Sequence, residues 1–388
     1  MALLAEGKYA EAVAAFRKGL LEQPRQPNLL VNLGLALRLM GRNDEARVQF
    51  ERAMEFPTVR RSAGHQLAQL AMEVADYDGA ERYLRRILAE EPGASEVRNT
   101  LGLVLEKKGN LEAAEAEYLR AADGDPNAAQ PRSNLGNLAK MRGQLDVAEA
   151  WYLKAIEADP YFMGAYNNLA LVYQERGEMQ KAIDLYARAL SKAPNNAVVM
   201  NNLGSLYYAK GDLDQAGKLW RQSVQADPAY PSPLNNLGGL ELSGKRYREA
   251  EELFQKALAL DPNYGDARMN LSVVRRAQGR IEDARKELRK ATEDPRSRTN
   301  ALAHLGLFEL DEGGTEKALP ILREARIRNP RNQDVLNGLG EAYRRLGRPS
   351  EAVEAWRASL AINPSQEEVK RRLEGVKSGG SGEKKGDR

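Results

Sequence analysis

One spacing constrains this chain more than any other feature: a Leu followed by Gly or Ala returns every 34 residues, carrying a Gly, an Ala, a large apolar residue and a Pro at fixed offsets. Leu101, Gly102, Gly109, Ala114, Tyr118, Ala121 and Pro126 show the full set. Adding 34 gives Leu135, Gly136, Gly143, Ala148, Tyr152, Ala155 and Pro160, and adding it again gives Leu169, Ala170, Gly177, Ala182, Tyr186, Ala189 and Pro194. The frame runs on through Leu203 and Trp220, Leu237 and Phe254, Leu271, Leu305, and Leu339 and Trp356, and backwards through Leu67 and Leu33. Residues 27–366 are 340 positions, ten such repeats. A domain that closes its own core has no use for such a period, whereas a stack of like units requires one.

Each repeat holds two amphipathic segments with apolar positions at helical spacing, as in AYNNLALVYQERG followed by EMQKAIDLYARAL. These are helix A and helix B. Gly177 and Gly211 close helix A where a left-handed residue turns the chain. Pro after helix B stops it, and Asp or Asn nearby caps the incoming helix. The small residue after Leu lets helix A approach helix B closely. One pair cannot bury both its apolar faces, so neighbours must stack into an all-α array.

The pattern resembles the tetratricopeptide-repeat (TPR) family over almost the whole chain. That resemblance implies a right-handed superhelical solenoid of antiparallel helix pairs, with helix A lining the inside, and a scaffold for protein–protein interaction. The frame predicts a partial first repeat over residues 1–26, mainly helix B, ten repeats over 27–366, a capping helix over 367–378 with Val369, Leu373 and Val376 on one side, and a Gly/Ser-rich flexible tail over 379–388. Gly7, Tyr9, Ala12, Phe16 and Pro24 keep the repeat frame while most of their helix A is missing; the two readings are upstream sequence, which is preferred, and an imperfect N-terminal cap. The register is weakest at 55–64 and 294–299, where Pro57 and Pro295 stand one residue early. A shift absorbed in the turn is expected there, in preference to a bend between sub-arrays.

Composition narrows the functional classes. With 58 Lys+Arg against 55 Asp+Glu, the chain lacks the basic excess of a nucleic-acid binder. It has no Cys, hence no disulfide framework, thiol nucleophile or Cys-ligated zinc. No apolar run is long enough to insert into a membrane. A soluble chain follows, with a cytoplasmic location preferred over a periplasmic or envelope-associated one. His65 and His304 stand seven repeats apart in register and make no metal pair, and no cofactor motif or acid–base constellation is present, so no enzyme activity is expected. Trp151, Trp220 and Trp356 fall on helix B as packing residues. The glycosylation-like triplet Asn270, Leu271, Ser272 lies inside a helix.

The candidate binding surface is the outward stripe of helix A. Asn134, Asn168, Asn202, Asn236 and Asn270 precede the Leu of five consecutive repeats, and a second Asn stands before three of them at Asn167, Asn201 and Asn235. Asn137, Ser205, Gly239 and Tyr208 follow on the same stripe. An amide carries donors and an acceptor, the chemistry that pairs with the peptide bonds of an extended chain whatever its sequence. The row resembles the asparagine ladder in TPR glycosyltransferases, and Asn at this slot also recurs in the carboxylate clamps of chaperone adaptors. Two roles stay open at this point: a peptide-binding groove, and bonds within or between A helices. A second patch of Arg276, Arg344 and Arg345 with nearby acids is a candidate for an acidic peptide. The partners implied are other proteins or extended peptides, with self-association through the N-terminal end as a further route. The alternatives are a targeting or regulatory region of a larger enzyme such as a glycosyltransferase, and an assembly factor of a bacterial secretion, pilus or motility complex.

Overall fold

The computed structural model describes residues 2–379, with side chains through residue 375, as twenty-three α-helices and no strand among the described residues. They form two compact units, residues 1–194 and 195–388. The first opens on a short helix, Ala2–Ala5, and the helix Tyr9–Glu22, followed by the pairs Pro27–Leu39 with Asn43–Ala53, Pro57–Glu73 with Tyr77–Glu90, Ser95–Lys107 with Leu111–Gly124, Ala129–Met141 with Leu145–Ala158, and Met163–Glu175 with Met179–Lys192. The second holds Ala197–Lys210 with Leu213–Ala226, Ser232–Ser243 with Tyr247–Leu260, Gly265–Ala277 with Ile281–Ala291, Arg298–Asp311 with Thr315–Arg328, and Gln333–Arg345 with Pro349–Ile362, then the helix Glu367–Gly379. Each unit is a helical-repeat stack of A and B helices.

The 34-residue marks map onto contacts. The large residue sixteen positions after the Gly lies flat over it: Phe50, Tyr118, Tyr152 and Phe254 are fully buried. A Cβ added at Gly102 would stand 2.5 Å from the Tyr118 ring, at Gly204 2.7 Å from the indole nitrogen of Trp220, and at Gly238 2.6 Å from Phe254. The Leu-Gly pair is therefore one half of a knob and socket whose other half is the helix B aromatic. Polar tips anchor the rings: Tyr118 Oη donates to Glu106 at 2.9 Å, Tyr152 Oη to Asn137 at 2.8 Å, and Trp220 Nε1 to the Asn201 carbonyl at 3.1 Å.

The turn after helix A takes a left-handed residue at Gly177 and Gly211. Where the sequence offers no Gly in this slot, Ala75 and Lys245 adopt the same conformation, with φ of 58° and 57°. Beside that turn, cations at the end of helix A reach back to the preceding helix B: Lys108 to Glu81 at 2.7 Å, Arg142 to Glu115 at 2.6 Å, and Arg176 to Glu149. Such part-exposed pairs add at most about 1 kcal/mol each, and favour the negative end of the helix dipole.

Both early prolines are absorbed at the end of helix B. The helices Asn43–Ala53 and Ile281–Ala291 have 11 residues where most other B helices have 14. Pro57 then starts helix A, where its missing N–H costs nothing. Neither irregularity coincides with the division between units. In the last helix, Val369 is buried and Leu373 packs against the final repeat; the Val376 side chain and residues 380–388 lie outside the described residues.

Within each unit, successive A helices touch one another while successive B helices scarcely do. The A-helix side is thus the tighter one.

Candidate functional site

The asparagines join the A helices in a consistent register. Asn134 Nδ2 donates to Asn99 Oδ1 at 2.9 Å, Asn236 to Asn201 at 2.9 Å, and Asn270 to Asn235 at 3.0 Å, each bond spanning 35 residues. In these three bonds the acceptor stands two residues before the Leu of its repeat and the donor one residue before the Leu of the next. Helix geometry explains this: consecutive residues differ by about 100° in direction, so one faces the preceding repeat's partner and the other is buried beneath it.

Three of the expected groove residues make bonds of the kind left open above, between or within A helices. Asn134, Asn201 and Asn235 are only 3%, 5% and 8% exposed and are occupied with bonds between or within A helices. Burial demands that these amides be paired inside the chain, which removes them from the ligand surface.

The first unit closes its asparagines on themselves. Asn134 Oδ1 also accepts from Gln130 at 3.2 Å. Asn137 Oδ1 accepts from both Tyr152 and Asn168, the latter at 3.0 Å, and Asn168 Nδ2 also reaches Ser133 at 3.4 Å. Asn167 is half-buried. Further back, Arg38 replaces the amide bonds, donating to Gln66 and Gln69 at 2.6 and 2.7 Å beside the shallow cleft that holds His65.

In the second unit, Asn236 and Asn270 are less fully engaged. Asn236 and Asn270 are half-buried, each donates one N–H along the ladder, and neither carbonyl oxygen accepts a bond from the described residues. Asn202 beside them is half-buried and accepts from Asn201 at 3.3 Å. Ser205 Oγ donates to the Asn201 carbonyl at 3.1 Å, and Tyr208, 42% exposed, lies with its ring 5.7 Å from that of Trp220. Sequence reasoning saw the row of amides. It did not see which were already engaged, nor that Asn99, outside the row, serves as an acceptor.

The arginine patch is paired within the chain. Arg276 pairs with Asp311 at 3.1 Å and Glu312 at 2.9 Å and covers the Phe308 ring. Arg344 and Arg345 both hold Glu341 at 2.7 Å, and Arg345 also donates to the Leu310 carbonyl at 2.7 Å. The Arg344 and Arg345 guanidiniums hold the Glu341 carboxyl at about 2. These cations are neutralised by the chain's own acids, so they offer no free basic surface. Among the described residues no group of three or more His, Asp or Glu is placed to hold a metal ion, and no helix is long and apolar enough to cross a membrane.

Family models described as tetratricopeptide repeat match residues 1–60, 65–129, 129–162, 161–229, 196–263, 241–305 and 305–367. The chain belongs to the tetratricopeptide-repeat family. Human tetratricopeptide repeat protein 7B is 33% identical over 117 residues, 30% of this chain; the match spans 14% of that protein's length. Yeast Tom70 shares the fold with a TM-score of 0.55 at 17% identity, covering 97% of this chain and 94% of that one. The Cut9-Hcn1 assembly of APC/C follows at a TM-score of 0.49 and 14% identity, covering 96% and 94%. As a TPR array the chain is a protein-interaction scaffold.

Proposed function

We propose that the second unit holds an extended peptide segment of a partner protein along its A helices, and that the chain acts by binding and not by catalysis. The observation that carries this reading is the pair Asn236 and Asn270. Each spends one N–H on the ladder and keeps a carbonyl oxygen and a second N–H unengaged by the described residues. The ladder bond fixes each amide plane, so the remaining groups are held ready for the N–H and C=O of a passing backbone, and little side-chain entropy is lost on binding. The closed amides of the first unit lack this property and serve its cohesion.

The test is panning of a phage-displayed random dodecapeptide library on the immobilised full chain, followed by fluorescence anisotropy with labelled synthetic copies of the enriched peptides. Replacing both amides (Asn236→Ala/Asn270→Ala) removes about two hydrogen bonds and weakens these peptides about ten- to thirtyfold. Unchanged affinity, with helical content intact by circular dichroism, would sink the reading.

A further inference from the structure

One repeat of the second unit departs from the glycine-and-ring packing, and a cavity lies where it does. Gly238 stands against the Phe254 ring; thirty-four residues on, the same two slots hold Ser272 and Leu288. A leucine fills less of the socket than a ring. A cleft of about 120 Å³ remains there, lined by both residues. The rest of its lining comes from the A helices Gly265–Ala277 and Arg298–Asp311.

The walls are apolar. Leu288 and Phe308, 2% and 5% exposed, form the depth of the cleft, while Val273, 44% exposed, is its lip, and Leu307 is half-buried beside them. Phe308 is fixed in place, with the Arg276 and Arg285 guanidiniums 5.3 and 5.5 Å from its ring centre. The polar neighbours are engaged: Ser272 Oγ donates to the Met269 carbonyl at 2.6 Å, and Arg276 is paired with Asp311 and Glu312. A charged side chain entering here would lose its water against Val273, Leu307 and Phe308 and find the nearby ions already taken. An aliphatic one would gain the contact that a helix B ring makes in other repeats. A dry cavity of about 150 Å³ takes benzene, so this smaller space suits a branched aliphatic group better than a ring.

The cleft also adjoins the amides. Asn270 and Val273 are three residues apart on one helix, which puts their Cβ atoms about 5–6 Å apart. An extended chain advances about 3.3 Å per residue, so a backbone that meets the Asn270 amide reaches the cleft within two residues. In the next repeat the slot of Asn236 and Asn270 passes to His304, exposed at the mouth of the cleft. The row of amides thus ends where the apolar cleft begins.

We propose that this cleft is the side-chain anchor of the peptide site: one branched aliphatic residue (Leu, Ile or Val) of the segment that meets Asn270 enters it and packs on Leu288 and Phe308. The inference rests on the peptide-binding reading above and adds to it a required residue class and its position.

The experiment uses the full chain and the same enriched dodecapeptides, which share one branched aliphatic residue. Ser272→Gly/Leu288→Phe restores the glycine and ring of the preceding repeat, fills the cleft from inside and weakens those peptides by about tenfold or more. Val273→Asp acts from the exposed lip in the same direction, so the test does not depend on how the core variant folds. Trimming the shared residue to Ala in the peptide costs about tenfold on the unmodified chain and removes the difference between wild type and both cleft variants. If the cleft variants bind as wild type does while Asn236→Ala/Asn270→Ala weakens binding, the anchor is overturned and the amide reading stands. Enriched peptides with no shared aliphatic residue overturn the anchor as well. Peptides indifferent to all of these variants, or no enrichment at all, overturn both.

Discussion

Asn236 Nδ2 donates to Asn201 Oδ1 across 2.9 Å, and the acceptor is the more deeply enclosed of the two side chains. The bond's importance is therefore asymmetric. Asn236→Ala leaves a buried carbonyl oxygen without a donor and costs about 1–3 kcal/mol, while Asn201→Ala/Asn236→Ala costs less than the sum of the single changes. Because repeat arrays open locally, hydrogen exchange in the helix Ser232–Ser243 is the sensitive readout alongside urea unfolding. Strict additivity would show that the two amides do not cooperate.

Gly238 and Gly239 should respond to the same substitution with opposite sign. Gly238→Ala forces the Phe254 ring aside and destabilises by about 1–3 kcal/mol, whereas Gly239→Ala gains about 1 kcal/mol of helix propensity. Urea midpoints of the two variants, compared at equal m-value, check this.

Ala75 and Lys245 hold the left-handed turn that other repeats give to Gly. Relieving the crowding of Cβ against the backbone, Ala75→Gly and Lys245→Gly each raise stability by about 1 kcal/mol, and Gly211→Ala lowers it by about 1–2 kcal/mol. Thermal and chemical unfolding of the three variants provide the comparison.

Glu287 is a buried carboxylate held by Arg268 at 2.6 Å and Arg275 at 2.9 Å. Glu287→Ala takes the shared carboxylate from two largely enclosed guanidiniums, leaving Arg268 the Pro262 carbonyl and Arg275 Glu251, and costs about 2–4 kcal/mol, while Glu287→Gln, which keeps an acceptor, costs less. A loss below 1 kcal/mol in guanidinium-free urea titrations would contradict this ranking.

Acid should loosen the final repeat through Glu341. Arg344, then Arg345, lower its folded-state value from 4.5 to about 2. Since the folded value lies below the unfolded one, the pairing stabilises the chain above pH 4.5, and that contribution fades as pH falls from 4.5 towards 2. Glu341→Gln should be less stable than wild type at neutral pH and lose less on acidification, followed by circular dichroism at fixed urea.

The period was legible because it is written in complementary shapes: a Gly such as Gly102 and a ring such as Tyr118, sixteen residues apart, each meaningless without the other. The row of asparagines was equally visible. What the sequence hid was engagement, because the bonds an amide makes depend on residues thirty-one or thirty-five positions earlier, as with Asn168 on Asn137 and Asn270 on Asn235. The pairing within the arginine patch was hidden for the same reason. Arg276 finds its partner Asp311 thirty-five residues on, a separation at which no local pattern signals an ion pair. The early prolines at 57 and 295 read as shifts absorbed in the turn, and the B helix before each is 11 residues long.

The direction of the rungs carries one more consequence. In Asn134, Asn236 and Asn270 alike, the donor belongs to the later helix and the acceptor to the earlier one. On a ribosome, then, each nascent A helix emerges to find its carbonyl already in place on the helix made before it, and the first-made repeat is the template on which the next one settles.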